Sequence, residues 1–163
     1  MKKVLLAFFI LSVSATVFAQ LPKIENGGLV LNYPVLFETG SAVLQPESDS
    51  ALNQVKTFLL VKEYITLLRI EGHLPDGNAE AKNQTLSEKR ALSVCQWLIK
   101  NGIDCRRLVA VGFGSTKPIA ENSTPEGKAQ NNRIAFKMAA LRDRPIGGMP
   151  VDGGGRIAGD LCK

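Results

Sequence analysis

Ile70-Glu71-Gly72-His73-Leu74-Pro75-Asp76-Gly77-Asn78-Ala79-Glu80-Ala81-Lys82-Asn83-Gln84-Thr85-Leu86-Ser87-Glu88-Lys89-Arg90-Ala91 is the stretch on which the fold turns. Its first residues close a nearly continuous apolar run, Ile65, Leu67, Leu68 and Ile70, which predicts a strand over 64–71 covered on both faces. The strand stops at Gly72-His73 and a polar loop follows. Leu86, Ala91, Val94, Leu98 and Ile99 then recur at helical spacing, and Asn101-Gly102 ends that helix in the usual C-cap manner.

The same alternation continues to either side. Val30, Tyr33, Val35 and Phe37 predict a strand over 28–37, with Pro34 placing it at an edge or an irregularity. Pro46 opens a helix whose buried stripe is Leu52, Val55, Phe58 and Leu59, with Glu47 and Asp49 at the positive end of its dipole. A third strand is expected over 108–113. Thr124-Pro125-Glu126 reads as an N-cap followed by proline at the first helical position, and 134–138 alternates as a fourth strand. Strands alternating with helices over so short a span predict a small α/β sandwich, a four-stranded sheet with helices packed on one face. Gly40, Gly72 and Gly112 are read as glycines required by turns. Phe37 and Trp97 are expected in or near the core.

The ends of the chain differ in character. Lys2 and Lys3, an apolar run over 4–13 and Val17-Phe18-Ala19 form the n-region, h-region and small-x-small site of a secretory signal peptide, residues 1–19. The run is too short for a permanent span, so no transmembrane segment is expected after cleavage. Residues 20–28 are a short lead, 29–140 the domain, and 141–163 a Gly-rich, loosely ordered tail. Removing Lys2 and Lys3 lowers the formal net charge from +5 to +3, and the basic residues are scattered without interleaved aromatics, which argues against nucleic acid. Export lets disulfides form. Cys95 lies in the helical pattern and reads as a buried thiol, whereas a Cys105–Cys162 bridge would staple the tail; three pairings remain open. One histidine and no paired cysteine spacing leave no metal site, and no cofactor motif is present. Nothing forms a nucleophile elbow, and Glu71 with Asp76 matches a glycosidase dyad by composition alone, so an enzyme is not expected.

Six ordered blocks are more specific than periodicity: Phe37-Glu38-Thr39-Gly40-Ser41-Ala42-Val43-Leu44, Ile70 to His73, Asn83 to Ala91, Gly102-Ile103-Asp104, Gly112-Phe113-Gly114 and Pro118 to Ala129. Together they closely resemble the OmpA-like C-terminal domain family, the peptidoglycan-associated module of bacterial envelopes, over about residues 30–138. The resemblance implies a βαβα unit with a mixed sheet, a location in the periplasm, in association with the outer membrane or free of it, and peptidoglycan as partner, with other envelope proteins as further candidates. It also implies a site for the diaminopimelate residue of the stem peptide, which carries an ammonium and a carboxylate on one carbon. An Asp and an Arg suit that pair. The family arginine falls on Arg90 and its upstream asparagine on Asn83, which also reads as a helix cap.

The family Asp does not carry over. Where the family has Thr-Asp after Gly-His, this chain has Leu74-Pro75, and Asp76 stands one residue later. The family's Asn-Arg-Arg is Asn131-Asn132-Arg133, one cation fewer. The expected ligand residues are therefore Arg90, Asn83 and Asp76. Arg90 has a plainer reading as a surface arginine that pairs with a neighbour such as Glu88 or Asp76. With the family Asp missing, the alternative function is a module that has lost wall binding and acts as a protein-interaction or structural envelope component. His73 is expected to make a local hydrogen bond at the strand end.

Overall fold

The computed structural model describes residues 21–77, 79–147 and 152–163; the expected leader, 1–19, lies outside the described residues. The lead region begins with a hairpin, β1 (Lys23–Glu25) and β2 (Gly28–Val30), joined by Asn26 and Gly27. Both turn residues have positive φ, 49° and 70°, the requirement of a type I′ turn that matches strand twist.

The strand expected over 28–37 therefore ends at Val30. Beyond it, side chains replace a ladder. Asn32 N–H donates to Gln54 Oε1 (3.0 Å), and Ser48 Oγ both accepts from Leu36 N–H and donates to Leu36 O at 2.8 Å. This loop satisfies its backbone without a partner strand. A single bridge, Phe37 with Leu44, closes it across the turn at Gly40, φ +66°.

A 3-10 turn (Pro46–Ser48) leads into α1 (Asp49–Val61), whose buried face is Ala51, Leu52, Val55, Phe58 and Leu59. Then follow β3 (Ile65–His73), α2 (Glu80–Lys100), β4 (Leu108–Gly112), α3 (Pro125–Asn131) and β5 (Arg133–Leu141). Thr124 caps α3 as its sequence predicts, Oγ accepting from Gly127 N–H at 3.1 Å. Two-residue strands β6 (Arg144–Pro145) and β7 (Arg156–Ile157) complete the sheet.

The sheet has seven strands among the described residues, in the order β1-β2-β5-β3-β4-β7 with β6 on β5, not four. The four expected strands form the continuous part, and the additions are its short borders. It is mixed as expected: β3 and β4 are parallel, joined through α2, and the other pairs are antiparallel. The core lies between the sheet and the two longer helices: Leu68, Ile70, Ala110 and Phe136 meet Val55, Phe58, Val94 and Leu98. Trp97 borders this core and donates from Nε1 to Asp49 Oδ1 at 3.0 Å.

Gly72 and Gly112 are strand residues rather than turn residues. Their lack of a side chain lets α2 lie directly on the sheet. A Cβ at Gly72 would sit 2.9 Å from the Ser87 carbonyl carbon, and one at Gly112 would sit 2.7 Å from Ser87 Oγ. At this contact Ser87 Oγ accepts from Gly114 N–H (2.9 Å), and Gln84 Nε2 donates to Gly112 O (2.8 Å).

The segment expected as a loose tail returns along the β4 edge. Ala158 N–H donates to Ala110 O at 2.9 Å, Ala158 is buried, and a Cys105–Cys162 disulfide closes the return. Cys95 is free and buried in α2, where burial raises its thiol pKa far above the ordinary range.

Candidate functional site

Asn83 and Arg90 lie seven residues apart on α2, two turns or about 10.5 Å along one face. Each is buried, with 2% and 8% of its surface exposed. The loop after Phe37 and the end of α3 meet at Arg90. Its Nε donates to Ser41 O (2.8 Å) and its Nη1 to Asn132 Oδ1 (2.7 Å), and its guanidinium carbon stands 4.8 Å from the Phe37 ring centre. Burial pulls its pKa below the ordinary value, yet an arginine stays cationic. Neither Glu88 nor Asp76 pairs with it: Glu88 Oε1 accepts from Gln84 Nε2 (2.8 Å), and Asp76 Oδ1 from Gly77 N–H (2.8 Å). Nη2 donates to none of the described residues. The group borders a cleft of about 110 Å³ with Val35, Leu36, Phe37 and Asn132.

Asn83 is not a cap. α2 begins at Glu80 with Ala79 at the N-cap position, which leaves Asn83 in the first turn. Its Nδ2 donates to Pro75 O at 3.2 Å and so holds the β3–α2 loop. It also lines a groove of about 530 Å³ with Gly40, Lys82, Leu86 and Lys89. Leu74 turns inward, 8% exposed, its N–H donating to Gly114 O. Asp76 is exposed, its carboxylate turned back on the next amide.

The structure thus brings Asn83 and Arg90 to one face and sets Asp76 in a separate turn. Sequence reading missed Ser41 and Asn132 as holders of Arg90, and Lys82 and Lys89 as groove residues. Asn132 registered only as a missing cation; its amide oxygen now accepts where a second arginine would repel. Lys82, four residues before Leu86, and Lys89, three residues after it, carry no signal that separates them from solvated helix lysines.

The opposite sheet face holds the other buried ionisable groups. His73 Nε2 lies 3.2 Å from Glu71 Oε2, the local contact its position suggests, and Arg69 Nε lies 2.7 Å from Glu71 Oε1. The His73 ring stacks on Phe113 at 5.2 Å between centres. Burial pushes the Glu71 carboxyl up, but the His73 hydrogen bond and the Arg69 charge outweigh it and hold the pKa below 4.5. For His73, burial and the Arg133 and Lys117 charges outweigh the Glu71 contact, and its pKa falls below 6.5. In both cases the unfolded chain takes up a proton at a higher pH than the folded one. Stability should therefore fall as pH drops below about 6.5 for His73, and again below about 4.5 for Glu71. Thermal melting between about pH 7 and pH 5 reads the first step, at most about 1.4 kcal/mol per pH unit for one group. His73→Gln should flatten it, and an unchanged slope in that variant would refute the assignment.

The site is thus a buried arginine on a long crossover helix that packs on a mixed sheet, held by the loop after Phe37; no helix among the described residues is long and apolar enough to cross a membrane. The chain belongs to the OmpA family, whose model matches residues 36–133. The probable lipoprotein YiaD of Escherichia coli K12 is 38% identical over 120 residues, 72% of this chain. The chain spans about half of that relative's length, 54%. Two solved structures share the fold. The peptidoglycan-associated lipoprotein from Burkholderia pseudomallei matches at TM-score 0.58 and 26% identity, over 64% of this chain and 88% of that one. The cell wall anchor of the type VI secretion system from Pseudomonas aeruginosa matches at TM-score 0.58 and 28% identity, over 64% and 75%.

Proposed function

We propose that this domain binds the peptidoglycan stem peptide non-covalently and without catalysis, in the periplasm. The observation that carries this reading is the clasp on Arg90: two acceptors, Ser41 O and Asn132 Oδ1, and the ring of Phe37 fix the guanidinium while Nη2 remains free to meet a carboxylate. A fixed planar fork is the group suited to that ligand, and little side-chain entropy is left to lose on binding. Asn83 shapes the neighbouring groove. Asp76 serves as an acceptor for the ligand ammonium only if it leaves its turn with Gly77. The similarity to a peptidoglycan-associated lipoprotein and to a cell wall anchor supports the same ligand class.

Leu74, buried where the family has a polar residue, favours a second reading: a scaffold that binds an envelope protein instead of the wall. Retention on purified sacculi separates the two. The wild type is expected to co-sediment, and Arg90→Ala to lose most of the bound fraction while keeping a cooperative melt. Absence of wild-type retention would leave only the scaffold reading. If retention persists in Asp76→Ala, Asp76 has no part in the site.

A further inference from the structure

Arg90 is in place, but what surrounds it differs from a receptor for a zwitterion. Leu74 is buried, the Pro75 carbonyl accepts from Asn83 Nδ2, and the Asp76 carboxylate is tied to the Gly77 amide. The groove lined by Asn83 has two charged residues in its lining, Lys82 and Lys89, and both are cationic. Gly40 is shared with this groove, and its neighbour Ser41 holds Arg90, so groove and guanidinium stand side by side. A ligand ammonium in this groove meets two lysines and no acidic lining residue, whereas a carboxylate there meets two cations, with Arg90 in the neighbouring cleft.

Resting on the stem-peptide reading above, we infer that the site selects a carboxylate whose neighbouring nitrogen is acylated, as in a cross-linked stem, over the free amino acid head. In a cross-link that nitrogen is an amide and carries no charge, while the adjacent carboxylate is unchanged. The remaining N–H requires only a neutral acceptor. The Pro75 carbonyl supplies one, since its oxygen has a second lone pair beyond the bond from Asn83. The replacement of the family Asp by Pro75 is then a change of specificity rather than simple decay of the site. Discrimination of this kind needs the unfavourable element, here the two lysines, as much as the favourable one.

Two probes test it: a muropeptide monomer with the free diamino residue, and the same monomer acetylated on that nitrogen. Each is titrated calorimetrically into the wild-type chain, into Pro75→Asp, and into Leu74→Thr with Pro75→Asp. The wild type is expected to bind the acetylated probe more tightly than the free one. Pro75→Asp should move the preference toward the free amine by about tenfold or more, the worth of one charge-assisted hydrogen bond. Because Leu74 is buried, the single Pro75→Asp change carries the comparison if the double variant fails to fold. Equal wild-type affinity for the two probes, a preference for the free amine, binding of neither probe, or an unmoved preference in Pro75→Asp overturns the inference. Sacculus retention by the same wild-type preparation tells the failures apart. With retention, such results sink the selectivity alone; without it, the stem-peptide reading falls as well.

Discussion

Gly72→Ala is expected to give an unfolded chain, or one destabilised by more than about 4 kcal/mol, at the exceptional end of single substitutions. Gly72 sits in β3, flanked by Gly112 of β4 and Ile134 of β5, so its strand cannot shift without breaking ladders on both sides. The added methyl would stand 2.9 Å from the Ser87 carbonyl carbon and 3.1 Å from its Cα, with the carbonyl oxygen nearer still. These are backbone atoms, which no rotamer change moves aside. α2 would have to lift, and the bonds from Gly114 N–H to Ser87 Oγ and from Gln84 Nε2 to Gly112 O would open over a buried interface. The same helix carries Asn83 and Arg90, so any folded remnant should also lose sacculus binding. Urea denaturation followed by circular dichroism measures the effect. A folded variant within about 1 kcal/mol of wild type would show that the contact relaxes and that close packing of α2 is not required.

Removing the Cys105–Cys162 link, by the paired change Cys105→Ser and Cys162→Ser or by reduction, should cost about 4 kcal/mol in the chain-entropy model for so long a loop. The two sulfurs join residues 57 positions apart. Apart from the link, β7 holds the sheet through only two residue pairs, Val111 with Ile157 and Gly112 with Arg156. So short a strand has little independent stability. Without the bridge, Ala158 should leave its buried position and its amide, bonded to Ala110 O, should exchange rapidly with solvent. Denaturation midpoints in the presence and absence of reductant, with exchange at Ala158, read both effects. Equal midpoints would mean that the return strand is held by packing alone.

The sequence carried the central strands and helices well because their signals are local and repeated. Leu68 and Ile70, the helical stripe from Leu86 to Ile99, and the Thr124-Pro125 cap each announce an element within a few residues. The border strands were less legible for different reasons. Asn26-Gly27 is a strong hairpin signal, but the apolar positions beyond it, from Val30 to Phe37, carry the expected strand past Pro34, whereas the ladder ends at Val30. β6 and β7 are two residues each, too short to show a period. At the site, Arg90 was found by its motif, whereas its partners Ser41 and Asn132 lie 49 and 42 residues away and are joined to it only by the fold. Gly72 and Gly112 read as turn glycines in the sequence because a close helix approach leaves no local mark.

The spare sulfur in α2 bears on how the chain reaches its oxidised form. Thiol–disulfide exchange proceeds through a thiolate. Cys95 is enclosed by the core with its thiol held protonated, so the folded domain has no internal nucleophile to attack its own bridge. Before folding the situation is reversed. Cys95 and Cys105 are 10 positions apart, against 57 for the native pair, and shorter loops close at lower entropic cost. Loop entropy alone therefore favours the Cys95–Cys105 pairing in the unfolded chain, whereas burial of Cys95 in the folded domain leaves Cys105 and Cys162 as the available pair. Closure of α2 onto Gly72 and Gly112 thus takes Cys95 out of reach of the other two cysteines as well as giving Arg90 its platform.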